Sequence, residues 1–94
     1  MTPEQQEQLE NERIRGDTAS HSYEDYIKNF CRIKRETLFM AFSELPLTAE
    51  HELMEVKRML FAIDTLEAEI ISEIKTGELA TISLNEAQKG QEVH

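Results

Sequence analysis

Apolar positions in the middle of the chain repeat at helical spacing. One set recurs every three or four residues from position 23 to position 45, and it comprises Tyr23, Tyr26, Ile27, Phe30, Ile33, Thr37, Leu38, Ala41, Phe42 and Leu45. A second set follows at the same spacing from position 49 to position 76, and it comprises Leu53, Val56, Leu60, Ile63, Ile70 and Ile74. This spacing is typical of amphipathic α-helices. The sequence therefore predicts two long helices.

A short segment containing a proline separates the two predicted helices. Pro46 cannot donate a backbone hydrogen bond, and it disfavours helical backbone at Leu45. Thr48 is a suitable N-cap for the helix that follows. A link this short makes consecutive helices antiparallel neighbours. The predicted fold class is therefore all-α, with an antiparallel helical hairpin over residues 21–77.

The first 20 residues form a predicted polar helical arm. Thr2 and Gln5 have the spacing of a capping box, which favours a helix start. The sizeable apolar residues that follow are Leu9 and Ile14, too few to hold a helix against the hairpin. We expect either a solvated arm or one that becomes ordered on a neighbouring molecule, with Leu9 and Ile14 as the contacts.

Two glycines lie near the predicted helix ends. Gly16 is expected to end the arm helix, with Ser22 as the N-cap of the next helix. A continuous helix through Gly16 is the alternative. Gly77 is the predicted end of the second long helix. The apolar period is lost beyond it, so residues 78–94 are predicted to form a flexible tail, with Thr81–Leu84 as a short strand or an extended peptide on a neighbour.

The length of the chain limits what the hairpin can bury. Ninety-four residues make one small domain at most. Each helix of a pair covers only one side of the other, so the hairpin needs a third element or another copy of the chain. A homo-oligomer is the more economical of the two and is expected. Phe39, Met40 and Phe61 lie off the main apolar stripes. We therefore predict that these three side chains form the contact with another subunit or partner protein.

The charge balance is acidic. The chain has 19 acidic and 10 basic residues, a net charge of −9, which makes direct binding to nucleic acid an unlikely function. Lys28, Arg32 and Arg35 follow i, i+4, i+7 spacing and form a candidate basic strip for an acidic partner. Alternatively, cross-helix ion pairs neutralise the strip. Antiparallel pairing about Pro46 would then place Lys28 near Asp64, and Arg32 near Leu60 or Glu67.

The residue types that carry chemistry are sparse. Cys31 is the single cysteine, so no intrachain disulfide is possible, and a small, partly buried apolar role is expected for it. His21, His51 and His94 lack the spacing of metal ligands. The acidic residues have no glycine-rich loop or nucleophile motif beside them. We expect no enzymatic activity, metal or cofactor, and neither a signal peptide nor a membrane span.

Two short motifs flank the predicted helices. The first is Glu12-Arg13-Ile14-Arg15-Gly16-Asp17-Thr18-Ala19, and the second is Lys75-Thr76-Gly77-Glu78-Leu79-Ala80. With the two helices between them, residues 12–80 resemble small proteins encoded in the virion-assembly gene clusters of tailed double-stranded DNA bacteriophages, most of which lack an assigned activity. Members commonly have a Trp and an Asp-Thr-Glu-Gly type turn, whereas this chain has no Trp and has Pro46-Leu47-Thr48 at the turn.

The resemblance implies a phage origin and a non-enzymatic role near head assembly. The expected function is that of a structural or assembly protein, such as a head or portal accessory, a scaffold-like factor or a packaging subunit. Its partners would be itself and other phage proteins, in the host cytoplasm or the virion. The alternative is a small acidic regulator or inhibitor that binds a host protein. The weakest hypothesis is direct DNA binding through Lys28, Arg32, Lys34 and Arg35.

Overall fold

The computed structural model describes the backbone of residues 1–92 and the side chains of residues 1–90. The chain is helical along nearly all of this length. Its elements are α1 (Pro3–Ser22), a π-helical turn (Tyr23–Ile27), α2 (Lys28–Glu44) and α3 (Glu50–Glu92). The described residues contain no β-strand. The predicted all-α class is therefore confirmed.

The predicted turn between the long helices is confirmed, but its cap is not. Leu45 has extended backbone angles (φ −73°, ψ 136°), as expected for a residue that precedes Pro46. The Ala49 N–H donates to the Pro46 carbonyl at 2.9 Å. The Ala49 carbonyl then accepts the hydrogen bond of the Leu53 N–H at 3.0 Å. Ala49, the residue immediately before α3, therefore occupies the N-cap position that the sequence predicts for Thr48.

The start of α1 is confirmed, and its predicted end is wrong. The Thr2 N–H donates to Gln5 Oε1 at 3.0 Å, and the Gln5 N–H donates to Thr2 Oγ1 at 3.2 Å, which completes the capping box. The helix continues through Gly16, so the alternative of a continuous helix is the correct one. Ser22 is the last residue of α1 and caps no new helix. A helical glycine costs about 1 kcal/mol relative to alanine, which tertiary packing readily offsets.

A π-helical turn links α1 to α2 and keeps the chain helical. Tyr23, Ile27 and Arg35 are half-buried and Cys31 is buried. These positions are each four residues apart, a wider spacing than the 3.6 residues per turn of an α-helix. The i→i+5 bonding of a π-helical turn accommodates such spacing. These four side chains therefore lie on one side of the helical segment, although the segment has no break.

The second long helix extends well beyond its predicted end. α3 continues through Gly77 to Glu92, so a helix stop at Gly77 and a strand at Thr81–Leu84 are both wrong. Residues 78–92 are helical, where a flexible tail is predicted. The positions that turn away from solvent are mostly small or polar, and they include Gly77, Ala80, Thr81, Leu84 and Ala87 at helical spacing. Because these side chains are small or polar, the sequence beyond Gly77 shows no clear helical repeat of apolar residues. Val93 and His94 lie outside the described residues.

The chain forms two compact units. The central unit is Tyr23–Glu69, in which α2 pairs with the first part of α3. The terminal unit combines Met1–Ser22 with the part of α3 that begins at Ile70. These boundaries differ from the predicted arm, hairpin and tail, because the arm and the tail are partner helices of a single unit. The buried residues are Cys31 and Leu38 in the central unit, and Gly16, Gly77 and Ala80 in the terminal unit.

Candidate interaction surfaces

The central unit leaves most of its large apolar side chains in solvent. Its exposed members are Tyr26, Phe30, Ile33, Phe39, Met40, Phe42, Leu47, Met54, Met59, Phe61 and Leu66, which are 42–90% exposed. Two helices bury only the stripe along which they meet, so the remaining apolar faces have no cover within the unit. Contiguous exposed apolar surface of this kind marks interaction sites in soluble proteins.

The structure places the five predicted contact residues in different surroundings. Phe39, Met40 and Phe61 belong to the central unit and are 65%, 62% and 73% exposed. In the terminal unit, Ile14 is exposed and Leu9 is half-buried. Exposure makes the first four available to a partner. Their role in binding one stays a prediction.

The two flanks of the central unit differ in chemistry. Arg35 Nε donates to Asp64 Oδ1 at 2.8 Å between α2 and α3, and this pair marks the charged flank. Ile33 lies two residues before Arg35 and Leu66 two residues after Asp64, so each is rotated about 160° around its helix from the ion pair. They belong to the opposite, apolar flank. We define the apolar flank as Tyr26 of the π-helical turn, Phe30, Ile33 and Met40 of α2, and Met59 and Leu66 of α3.

The predicted contacts of the central unit divide between these flanks. Phe39 lies one turn beyond Arg35, and Phe61 lies one turn before Asp64, so both extend the charged flank towards the turn. Met40 belongs to the apolar flank. The off-stripe residues of the sequence therefore belong to two surfaces and not to one.

The predicted basic strip lines one cleft on the charged flank. The cleft has a volume of about 410 Å³, and its walls are Tyr23, Glu24, Lys28, Asn29, Arg32, Arg35 and Glu67. Lys28 and Arg32 each pair with an acidic residue one turn away on their own helical segment, at 3.9 Å and 3.1 Å. Arg35 makes the cross-helix pairs, to Asp64 and to Glu67. Little uncompensated positive charge is left for an acidic ligand.

The predicted cross-helix partners are wrong in detail. Lys28 does not pair with Asp64, and Arg32 does not pair with Glu67, because Arg35 takes both carboxylates. Arg35 is one of the half-buried positions on α2, whereas the side chains of Lys28 and Arg32 are 62% and 58% exposed. The basic residue that forms the cross-helix ion pairs is therefore determined by its position relative to α3 and not by the charge spacing along α2.

A polar network surrounds Glu67, whose side chain is 16% exposed. The Tyr23 hydroxyl donates to Glu67 Oε2 at 3.2 Å, and Arg35 Nη2 donates to Glu67 Oε1. Partial burial, and then the Glu67 carboxylate, raise the pKa of Tyr23. Hydrogen bonds to Asp64 and Glu67 raise the pKa of Arg35, so its charge is retained. These contacts give the charged flank a defined cross-helix geometry.

Cys31 is buried beside this network. It is 1% exposed, which confirms and strengthens the expectation of partial burial. Burial raises the pKa of the Cys31 thiol, the Glu67 and Asp64 carboxylates act in the same direction, and Arg35 opposes them. The protonated thiol behaves as a small apolar group and not as a nucleophile.

The terminal unit has a close helix crossing that the sequence interpretation missed. A Cβ atom built on Gly16 would lie 2.6 Å from the Gly77 Cα atom. Arg15 Nε lies 3.5 Å from Glu73 Oε1 nearby. A cleft of about 320 Å³ borders the crossing, lined by Arg13, Gly16, Asp17, Ser20, Ile74, Gly77, Glu78 and Thr81. The sequence signal that could have predicted this crossing is a glycine followed four residues later by a small side chain, and it occurs in both helices.

Other candidate chemistry is limited over the described part of the chain. His21 and His51 are exposed, and His94 lies outside the described residues. No group of three or more His, Cys, Asp or Glu side chains within that part is arranged to hold a metal ion. No helix there is both long enough and apolar enough to span a membrane.

Comparisons of this chain with protein-family models, curated proteins and solved structures found no match.

Proposed function

We propose that this protein is a non-enzymatic assembly protein that works through helix-mediated contacts, with copies of itself and with other proteins. The observation that carries the proposal is the exposed apolar surface of the central unit, where eleven large apolar side chains are 42–90% exposed. Helix pairs with this much uncovered apolar surface bind other proteins or further copies of themselves.

The charged groups support a binding role more than a catalytic one. Arg35 is held by two carboxylates, and Lys28 and Arg32 are each paired within their own helical segment. The Cys31 thiol is buried. A catalytic site needs a nucleophile, acid or base that a substrate can reach. The central unit instead presents unpaired apolar side chains, which recognise other proteins.

We propose a bacteriophage setting for this assembly role. Its support is the sequence resemblance over residues 12–80, through the motifs that end at Ala19 and Ala80. The candidate tasks are those of a head or portal accessory, a scaffold-like factor or a packaging-associated subunit. In each of them a small helical protein must bind itself and larger virion proteins, in the host cytoplasm or within the particle.

Two measurements test the proposal. Sedimentation velocity across micromolar concentrations is expected to show a rise in mean mass as the protein self-associates. Mass spectrometry of purified particles and of assembly intermediates is expected to find the protein with head or portal proteins. A folded monomer at every concentration, absent from particles and intermediates alike, would refute the proposal.

A second candidate function follows from the charge of −9. An acidic surface can compete with nucleic acid for a basic groove on a host protein, so the protein could act as a regulator or inhibitor. This function requires a salt-sensitive complex with a basic host protein. Capture from host lysate at low and high salt tests it. Enrichment of a nucleic-acid-binding protein only at low salt would favour it over assembly, and no such enrichment would dismiss it.

A further inference from the structure

We infer that the apolar flank of the central unit binds the same flank of a second copy of this chain, so that two helix pairs form a four-helix bundle. This inference rests on the proposed assembly role and names its partner and surface. It assigns Met40 to the contact between copies. Phe39 and Phe61, on the charged flank, are left for a different protein.

The members of the apolar flank recur at helical spacing on each helix. From the π-helical turn into α2, positions 26, 30, 33, 37 and 40 are separated by alternating steps of four and three residues, the repeat that follows one face of a helix in a bundle. Thr37 is the one polar member of this stripe. The Tyr26 and Phe30 rings stack, with centroids 5.8 Å apart. On α3, Met59 and Leu66 are one seven-residue repeat apart. Both helices thus present stripes of the same periodicity.

The area of the flank is close to what a stable dimer needs. Its six apolar residues are 46–66% exposed. With roughly 200 Å² of surface for a large apolar residue, the exposed part of the six amounts to about 650 Å². A standard interface takes about 800 Å² from each partner, and part of that comes from the polar rim. The flank therefore supplies the apolar centre of an interface of standard size.

A second copy fits this surface because a two-fold axis pairs each stripe with a stripe of equal spacing. The same patch is buried on both subunits, so the assembly is complete when two copies have bound each other. The result is two layers of two helices around a shared core, an arrangement in which every helix buries more than one side. The ion pairs of Arg35 lie on the opposite flank, so the contact need not desolvate them.

The inference is tested by adding a carboxylate to each flank in turn. Ile33→Glu puts the charge at the centre of the apolar flank, and Phe61→Glu is the matched control on the charged flank. Both native side chains are exposed in the single chain, at 48% and 73%, so either variant is expected to fold. Sedimentation velocity then measures dimer affinity. Ile33→Glu is expected to weaken the dimer by about tenfold or more, because the new carboxylate would be buried without a partner. Phe61→Glu is expected to leave the affinity within about twofold of wild type.

The outcomes separate this inference from the proposed function. If the wild type associates and Phe61→Glu, but not Ile33→Glu, dissociates it, the apolar flank is the wrong surface while the assembly role stands. If the wild type is monomeric at every concentration, self-association itself is refuted. If Ile33→Glu lowers the helical circular dichroism, Ile33→Ala replaces it, with a smaller loss of affinity expected.

Discussion

The backbone of Gly16 occupies the space that a side chain at Gly77 would need, and the backbone of Gly77 occupies the space that a side chain at Gly16 would need. A Cβ atom on Gly16 would lie 2.6 Å from the Gly77 Cα atom, and one on Gly77 would lie 2.7 Å from the Gly16 Cα atom. In both cases the nearest atom belongs to backbone, so it cannot move aside as the end of a side chain would. The close approach of α1 and α3 in the terminal unit therefore depends on the absence of a side chain at both positions.

Replacing either glycine of this crossing is expected to lower stability. Alanine is the better helix former by about 1 kcal/mol, but the overlap would force the helices apart at a cost of about 1–3 kcal/mol. We expect Gly16→Ala and Gly77→Ala to reduce the free energy of unfolding by up to about 2 kcal/mol, the difference between these two effects. Urea unfolding at a fixed protein concentration measures the change.

Gly90→Ala is the matched control for the glycine crossing. Gly90 also lies in α3, but a Cβ atom there would meet nothing within 4 Å. The same substitution should therefore be neutral or stabilising, by up to about 1 kcal/mol. Equal stabilisation by Gly16→Ala and Gly90→Ala would show that the crossing is not this close in solution.

The contact between Arg35 and Glu67 is expected to stabilise the central unit. The Glu67 side chain is 16% exposed, so removing Arg35 leaves a partly buried carboxylate without its cationic partner. In a double-mutant cycle with Arg35→Gln and Glu67→Gln, we expect a coupling energy of about 0.5–1 kcal/mol. Arg32→Gln is the control, because its ion pair to Glu36 is exposed. It should cost less than about 0.5 kcal/mol. Equal effects of Arg32→Gln and Arg35→Gln would argue against a special role for Arg35.

Stability is expected to fall at alkaline pH through Tyr23. The pKa of Tyr23 is raised above 10.0 in the folded chain, first by partial burial and then by Glu67. Folding therefore favours the protonated phenol. Its contribution to stability is complete below pH 10 and is lost as the pH rises towards the folded-state pKa. Tyr23→Phe should therefore flatten the alkaline part of the stability profile, although Cys31, whose pKa is also raised, keeps some slope.

A direct titration checks the tyrosine prediction. In a Tyr26→Phe background the phenolate absorbance comes from Tyr23 alone, since the chain has two tyrosines. The midpoint is expected above 10.0 in the folded protein. It should fall when Glu67→Gln removes the neighbouring negative charge. A midpoint that Glu67→Gln leaves in place would rule out the contact with the Tyr23 hydroxyl.

Salt should strengthen the association of two copies. Each chain carries −9, so two copies repel one another, and the ions of added salt screen that repulsion. Burial of Tyr26, Ile33 and Leu66 does not depend on ion pairs, so nothing in the proposed contact weakens with salt. Dimer affinity measured at low and at moderate sodium chloride concentration is therefore expected to rise. A steep fall would indicate an interface built on opposite charges and would contradict the proposed surface.

The sequence was sufficient for the all-α class, the capping box at Thr2 and the turn at Pro46. Each depends on local chemistry: the period of apolar residues, a side chain reaching its own backbone, and a ring that cannot donate a hydrogen bond. The sequence also shows that the chain has more apolar side chains than two helices can bury, because some of them lie outside the stripe along which the helices meet. The exposure of Phe39, Met40 and Phe61 follows from that surplus.

The tertiary structure alone decided how the two ends of the chain are used. A glycine in isolation favours a helix end, and Gly16 and Gly77 stay helical because each makes room for the other. That information is non-local, since 60 residues separate the two positions. The same holds for Arg35, which takes the carboxylates expected for Lys28 and Arg32 because it lies nearer the partner helix. Local propensity predicts the elements, and the choice of contacts between them depends on which residues packing brings into reach.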